Sequence, residues 1–205
     1  MMRDIDKALA DISSIKSQLA AGTMFRGFGP AVMALTGVMA LAVAASQAWA
    51  SPPTTPQAYV AAWVITAGAA IMLSGVEVIA RTRRQHGGLA DAILINALEQ
   101  FLPAAFAGIA LTAVIWTFAP AVLWTLPGLW QVLVSLGLFA AGRTLPREVR
   151  WVAGWYMVTG CAALALTASS PALNPWVMGL PFGIGQLALA AVLKFAYGEY
   201  PANDR

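Results

Sequence analysis

Three of the five connections between the apolar runs of this chain (51–57, 119–128 and 169–175) contain no Asp, Glu, Lys or Arg. Charged residues are only 10% of the whole, against 60% apolar. Ordinary globular domains are roughly 25% charged and about 45–50% apolar, so a soluble fold is excluded. Cysteine occurs once, as Cys161, which rules out an intramolecular disulfide and a cysteine-based zinc site and reads as a buried structural thiol within a span. Histidine also occurs once, as His86, which rules out bis-histidine haem and multi-histidine zinc. There is no GxSxG, no HExxH, no phosphate-binding glycine loop and no pair of intramembrane aspartates. The expectation is a protein that is not an enzyme and uses no cofactor or metal.

What the chain does have is six apolar stretches, near residues 29–47, 58–80, 101–118, 126–141, 152–168 and 176–196. A spanning helix needs about 20 apolar residues, because the hydrocarbon core is roughly 30 Å thick and a helix rises about 1.5 Å per residue. The mean hydropathy of +0.72 agrees. The fourth stretch has an ambiguous start, since Pro127 either opens a short span or kinks one beginning near Ala121.

Charge then orients the spans. Arg3, Lys7, Lys16 and Arg26 precede the first; Arg81, Arg83 and Arg84 follow the second. Arg143, Arg147 and Arg150 separate the fourth and fifth, and Lys194 and Arg205 end the chain. Basic residues stay on the cytoplasmic side, which places both termini there. Six of the eight tryptophans (Trp49, Trp63, Trp116, Trp124, Trp130 and Trp176) fall near the opposite boundary, as an interfacial aromatic belt does. The pI of 9.4 therefore reflects juxtamembrane arginines facing anionic lipid. No direct nucleic-acid binding is expected, because no basic patch falls on a soluble module.

The fold class read from this is all-α: a polytopic transmembrane helical bundle of six spans over residues 23–200, preceded by a cytoplasmic segment, 1–22, and followed by a tail, 201–205. The small-residue pattern of Ala48 and Ala50 before Ser51 resembles a signal-peptidase site. The first apolar run, however, is longer than the usual signal core and lies 28 residues into the chain, so it reads as a retained span.

Residues 3–21 have the spacing of an amphipathic helix. Ile5, Leu9, Ile12, Ile15 and Leu19 fall on one stripe with Ala8, and Asp4, Asp6, Lys7 and Asp11 lie away from it. Gly22 is a natural stop. This stripe can dock on its own bundle, on a cytoplasmic protein, or on a second copy of the chain.

Within the spans, ionisable groups are scarce. Glu77 is the deepest acid, and Arg81 follows at i+4, in the favourable order for an ion pair. Thr66, Ala70, Ser74, Glu77 and Arg81 share a face that also fits the wall of a polar vestibule. Asn96, Glu99, Gln100, Pro103 and Ala107 form a second polar-to-small face, on a helix expected to lie along the inner interface until Pro103 starts or kinks span three. In the sixth span Gly179, Gly183, Gln186 and Ala190 form a stripe suited to close helix approach. Pro181 can free a backbone carbonyl toward a cavity, as interrupted transporter helices do. Gln131 and Ser135 make a weaker polar pair in span four.

The segments 3–30 and 174–186 ("NPWVMGLPFGIGQ"), about a fifth of the chain, carry a resemblance to small six-span bacterial inner-membrane proteins of no established activity. The resemblance implies a dedicated cytoplasmic partner, such as a small transcription regulator, and carries over no functional residue. Two functions stand as expectations. One is a non-enzymatic regulator or scaffold that docks a cytoplasmic protein through its inner-face helices. The other is a channel or carrier for an uncharged small solute. The candidate polar positions are Glu77, Arg81, Asn96, Glu99, Gln100 and Gln186.

Overall fold

A computed structural model describes residues 27–86, 90–169 and 173–198. Among them there is no strand. The helices are α1 (Pro30–Ala45), α2 (Pro56–His86), α3 (Ala90–Phe118), α4 (Leu126–Ala140), α5 (Val149–Ala168) and α6 (Pro175–Gly198). A π-turn, Ser46–Ala50, extends α1, and short 3-10 turns, Pro120–Thr125 and Ala141–Arg143, flank α4. All six helices are long and apolar enough to cross a membrane, over Pro30–Ala50, Pro56–Arg84, Glu99–Phe118, Pro120–Ala140, Val149–Ala168 and Pro175–Ala196. The amphipathic stripe of Ile5, Leu9, Ile12, Ile15 and Leu19 lies outside the described residues.

Proline placement explains several boundaries. Pro30 and Pro127 stand in the first turns of α1 and α4, where a missing N–H costs nothing. The fourth span accordingly begins as a 3-10 turn and becomes α-helical at Leu126, so both readings of Pro127 hold part of the answer. Pro103 does not start the third helix. The chain runs as one helix through it from Ala90 to Phe118, with no separate interfacial helix. Pro103 is exposed, and one lost backbone bond does not break a helix of 29 residues.

Helices consecutive in the chain run antiparallel, as do the first and the last. Gly29, at the start of α1, meets Glu77 near the end of α2, and Gln47 reaches Tyr59 at the other end. Gly37 lies against Gly183 and Gln186, and Gly179 lies against Ala40 and Ala44, which pairs the first helix with the last. A Cβ on Gly179 would collide with that of Ala44. The α4–α5 pair closes the same way: a Cβ on Gly160 would sit 2.9 Å from the Gly128 carbonyl oxygen. Small residues allow backbones to approach closely, and dispersion contacts then hold the helices.

Two apolar clusters fill the interior. One gathers Met33, Leu138, Val152, Tyr156, Leu189 and Leu193 toward the end that carries the charged residues. The other gathers Ala44, Tyr59, Trp63, Leu123, Leu126 and Met178 toward the uncharged end. There Trp49 and Trp176 stack with ring centroids 5.4 Å apart. Cys161 corrects the sequence reading: it is exposed rather than buried, because it points to the side of α5 away from Gly160 and Ala163.

Candidate functional site

The charged end is built from helix starts and stops. Gly29 caps α1 but has no side chain to receive a backbone N–H, and Pro30 follows at once. A side chain of α2 meets the cap residue itself: the Gly29 N–H donates to Glu77 Oε2 at 3.2 Å. Glu77 thus places a carboxylate at the positive end of the α1 dipole. Its other oxygen lies 3.7 Å from the Arg81 guanidinium, and both side chains are partly exposed. The cap explains why residue 29 is glycine, since a Cβ there would collide with the Glu77 carboxylate. The expected Glu77–Arg81 pair is present, with a cap the spacing did not reveal. A helix start without a Ser, Thr, Asp or Asn cap of its own was the available signal.

Beside this cap, Thr144 after α4 donates its hydroxyl to Gln100 Oε1 at 3.0 Å, tying α3 to the α4–α5 connection. The Phe28 and Phe101 rings meet edge to face at 5.8 Å, tying α3 to the chain entering α1. Glu99 is exposed at the same end. The Asn96 side chain lies outside the described residues. Two open hollows lie here. One, of about 290 Å³, is lined by Glu77, Ala80, Arg81 and Arg84. The other, of about 260 Å³, is lined by Leu138, Phe139, Gly142, Pro146, Arg147 and Arg150.

Gln186 is separate from this group, in the interior. Its Cβ lies 3.1 Å from where a Cβ on Gly37 would be, and its side chain adjoins the Tyr156 hydroxyl. Gln131 and Ser135 are fully buried but do not pair with each other. Ser135 donates to the Ala153 carbonyl at 2.7 Å. Gln131 Nε2 donates to Pro127 O at 3.1 Å and to Val177 O at 3.0 Å. The second bond has a specific cause. Val177 stands four residues before Pro181, whose ring nitrogen has no hydrogen to give it. The carbonyl that Pro181 frees is therefore met by a side chain from α4 instead of facing a cavity. The Pro181 carbonyl in turn accepts the Trp155 indole N–H at 3.0 Å.

The expected face of Thr66, Ala70, Ser74, Glu77 and Arg81 is half-buried along its whole length and is the side of α2 turned to the other helices. Thr66 returns its hydroxyl to the Ala62 carbonyl of its own helix. Thr36, Thr112 and Thr167 likewise donate to carbonyls of their own helices, and the Thr112 hydroxyl also accepts the Trp130 indole N–H from α4 at 2.9 Å. Among the described residues, no group of three His, Cys, Asp or Glu comes together that could hold a metal ion. Comparison with protein families, with curated proteins and with solved structures finds no match for this chain.

Proposed function

We propose that this chain is a non-enzymatic protein of the cell inner membrane, a six-span bundle with both termini cytoplasmic, which regulates or scaffolds a cytoplasmic protein docked on its charged end. The observation that carries this reading is the division of polar chemistry. Inside, Gln131 and Ser135 donate to backbone carbonyls of neighbouring helices and hold them in place, and Thr66 returns its hydroxyl to its own helix. At the charged end, Arg83, Arg84, Glu99, Arg147, Glu148 and Arg150 are exposed. Groups available to another molecule are thus concentrated on one face. In-cell cross-linking followed by purification from the membrane tests this. Wild type is expected to bring down a discrete cytoplasmic protein that is lost on deleting residues 2–21 or on R83E/R84E. An unchanged set of partners, with membrane insertion intact, overturns it.

A second reading, a carrier for an uncharged small solute, draws on Gln131 Oε1, Gln186 Oε1 and the Tyr156 hydroxyl. All three are buried without a hydrogen bond of good geometry, and such groups are costly unless something bonds them. Uptake into proteoliposomes that falls with Gln186→Leu would favour the carrier. No uptake, or uptake indifferent to that change, leaves docking as the better account.

A further inference from the structure

The two hollows at the charged end differ in charge. The α2 hollow is lined by two arginines, Arg81 and Arg84, and by one carboxylate, Glu77, which lies 3.7 Å from Arg81. In the hollow between α4 and α5, two arginines line the wall, and neither has an ion pair among the described residues. Glu148, between them in sequence, is exposed and is not among the lining residues. The rest of the lining includes buried Leu138 and half-exposed Phe139, and Leu136, one turn away on α4, is likewise exposed. Arg150 holds its guanidinium 5.5 Å from the centroid of the Trp151 ring, and Trp151 is itself exposed. An exposed tryptophan under a guanidinium is the arrangement expected at headgroup depth.

From these we infer that the Arg147–Arg150 hollow is a binding site for the phosphodiester of an anionic phospholipid. Guanidinium groups present paired N–H donors that match phosphate oxygens. Leu138 and Phe139 receive the first carbons of the acyl chain, and exposed Leu136 guides the rest. A soluble phosphate would use the arginines and leave these apolar side chains uncovered, so the lipid is the occupant that fits both. Gly142 lines the hollow, and a Cβ there would meet nothing within 4 Å. A larger side chain at 142 therefore clashes with nothing at its Cβ and stands at the rim of the hollow, where it obstructs entry. The inference depends on the membrane reading and not on the docking reading, so a lost cytoplasmic partner and a lost lipid are separate results.

Native mass spectrometry of the full chain in detergent, with equal amounts of dioleoylphosphatidylglycerol and dioleoylphosphatidylcholine, tests it. Wild type should retain the anionic phosphatidylglycerol preferentially. R147Q/R150Q should reduce that preference by about fivefold per arginine. Gly142→Phe should abolish it while leaving the charge unchanged, and R83Q/R84Q should leave it intact. Glycerol 3-phosphate at the lipid's concentration should not displace it. Equal retention of both lipids by wild type overturns the inference, as does an equal loss in R83Q/R84Q. Retention by Gly142→Phe would assign the lipid to surface charge and overturn the hollow as its site. Displacement by glycerol 3-phosphate would identify a soluble phosphate as the occupant and overturn the lipid.

Discussion

The α1–α6 and α4–α5 pairs are packed backbone to backbone, whereas α2 and α3 bury few residues fully and keep at most a half-buried face toward the other helices. Within the membrane-length windows, 44% of the fourth helix and 39% of the sixth are buried, against 6% of the second and none of the third. Both regions are comparably apolar and both contain glycine. The difference lies in what the glycines face. Gly179 and Gly160 stand where a Cβ would collide with the neighbouring helix, whereas Gly68 and Gly75 have nothing within 4 Å. The second helix is instead held near its ends, by Tyr59, Val60 and Trp63 at one and by Glu77 and Thr82 at the other. Small residues thus permit close packing but do not produce it; a partner surface of matching shape is also required.

The sharpest way to break this comparison is to place the same side chain in both regions. Gly179→Leu should cost about 3 kcal/mol, since Ala44 and the α1 backbone cannot move aside. Gly68→Leu should change stability by no more than about 0.5 kcal/mol. Unfolding of the purified protein by dodecyl sulfate in mixed micelles measures both, and equal losses would end the distinction.

The next effect concerns the point where the second helix is fastened. Glu77→Ala removes a charged acceptor from the Gly29 N–H and should cost about 2 kcal/mol. Arg81→Ala removes only a partly exposed ion pair and should cost under about 1 kcal/mol. The same unfolding assay ranks them, and a larger loss for Arg81→Ala would make the pair, not the cap, the fastening.

The smallest effect lies inside the packed region. Gln131→Leu should cost about 1 kcal/mol, because it leaves the Val177 carbonyl without its donor. In a Pro181→Ala background the restored N–H should meet that carbonyl, and the cost should shrink. A double-mutant cycle on unfolding free energy reads the coupling, and strict additivity would show that Gln131 serves some other purpose.

Much of this fold was readable from residue patterns. Apolar runs of about 20 residues located all six helices, and the Gly179, Gly183, Gln186 and Ala190 spacing marked the face of the last helix that meets the first. Spacing left Pro103 as either the start of the third span or a kink in it, and only the structure shows one helix continuing through it. Cys161 was misread as buried because an apolar span alone does not say which side faces its neighbours. At the candidate site, the i,i+4 spacing of Glu77 and Arg81 disclosed the pair, but the cap joins residues 48 apart. No local pattern encodes that distance.

Composition and charge placement specify the number of helices, their lengths and the concentration of charge at one end, since these depend on each segment's own transfer energy and on where charge is tolerated. Packing of the assembled helices settled the rest. It paired the first helix with the last, supplied Gln131 to the carbonyl freed by Pro181, set Glu77 at the start of α1, and opened a two-arginine hollow between α4 and α5. Each of these joins residues distant along the chain, and such contacts are selected by shape and hydrogen-bond geometry, which exist only once the helices meet.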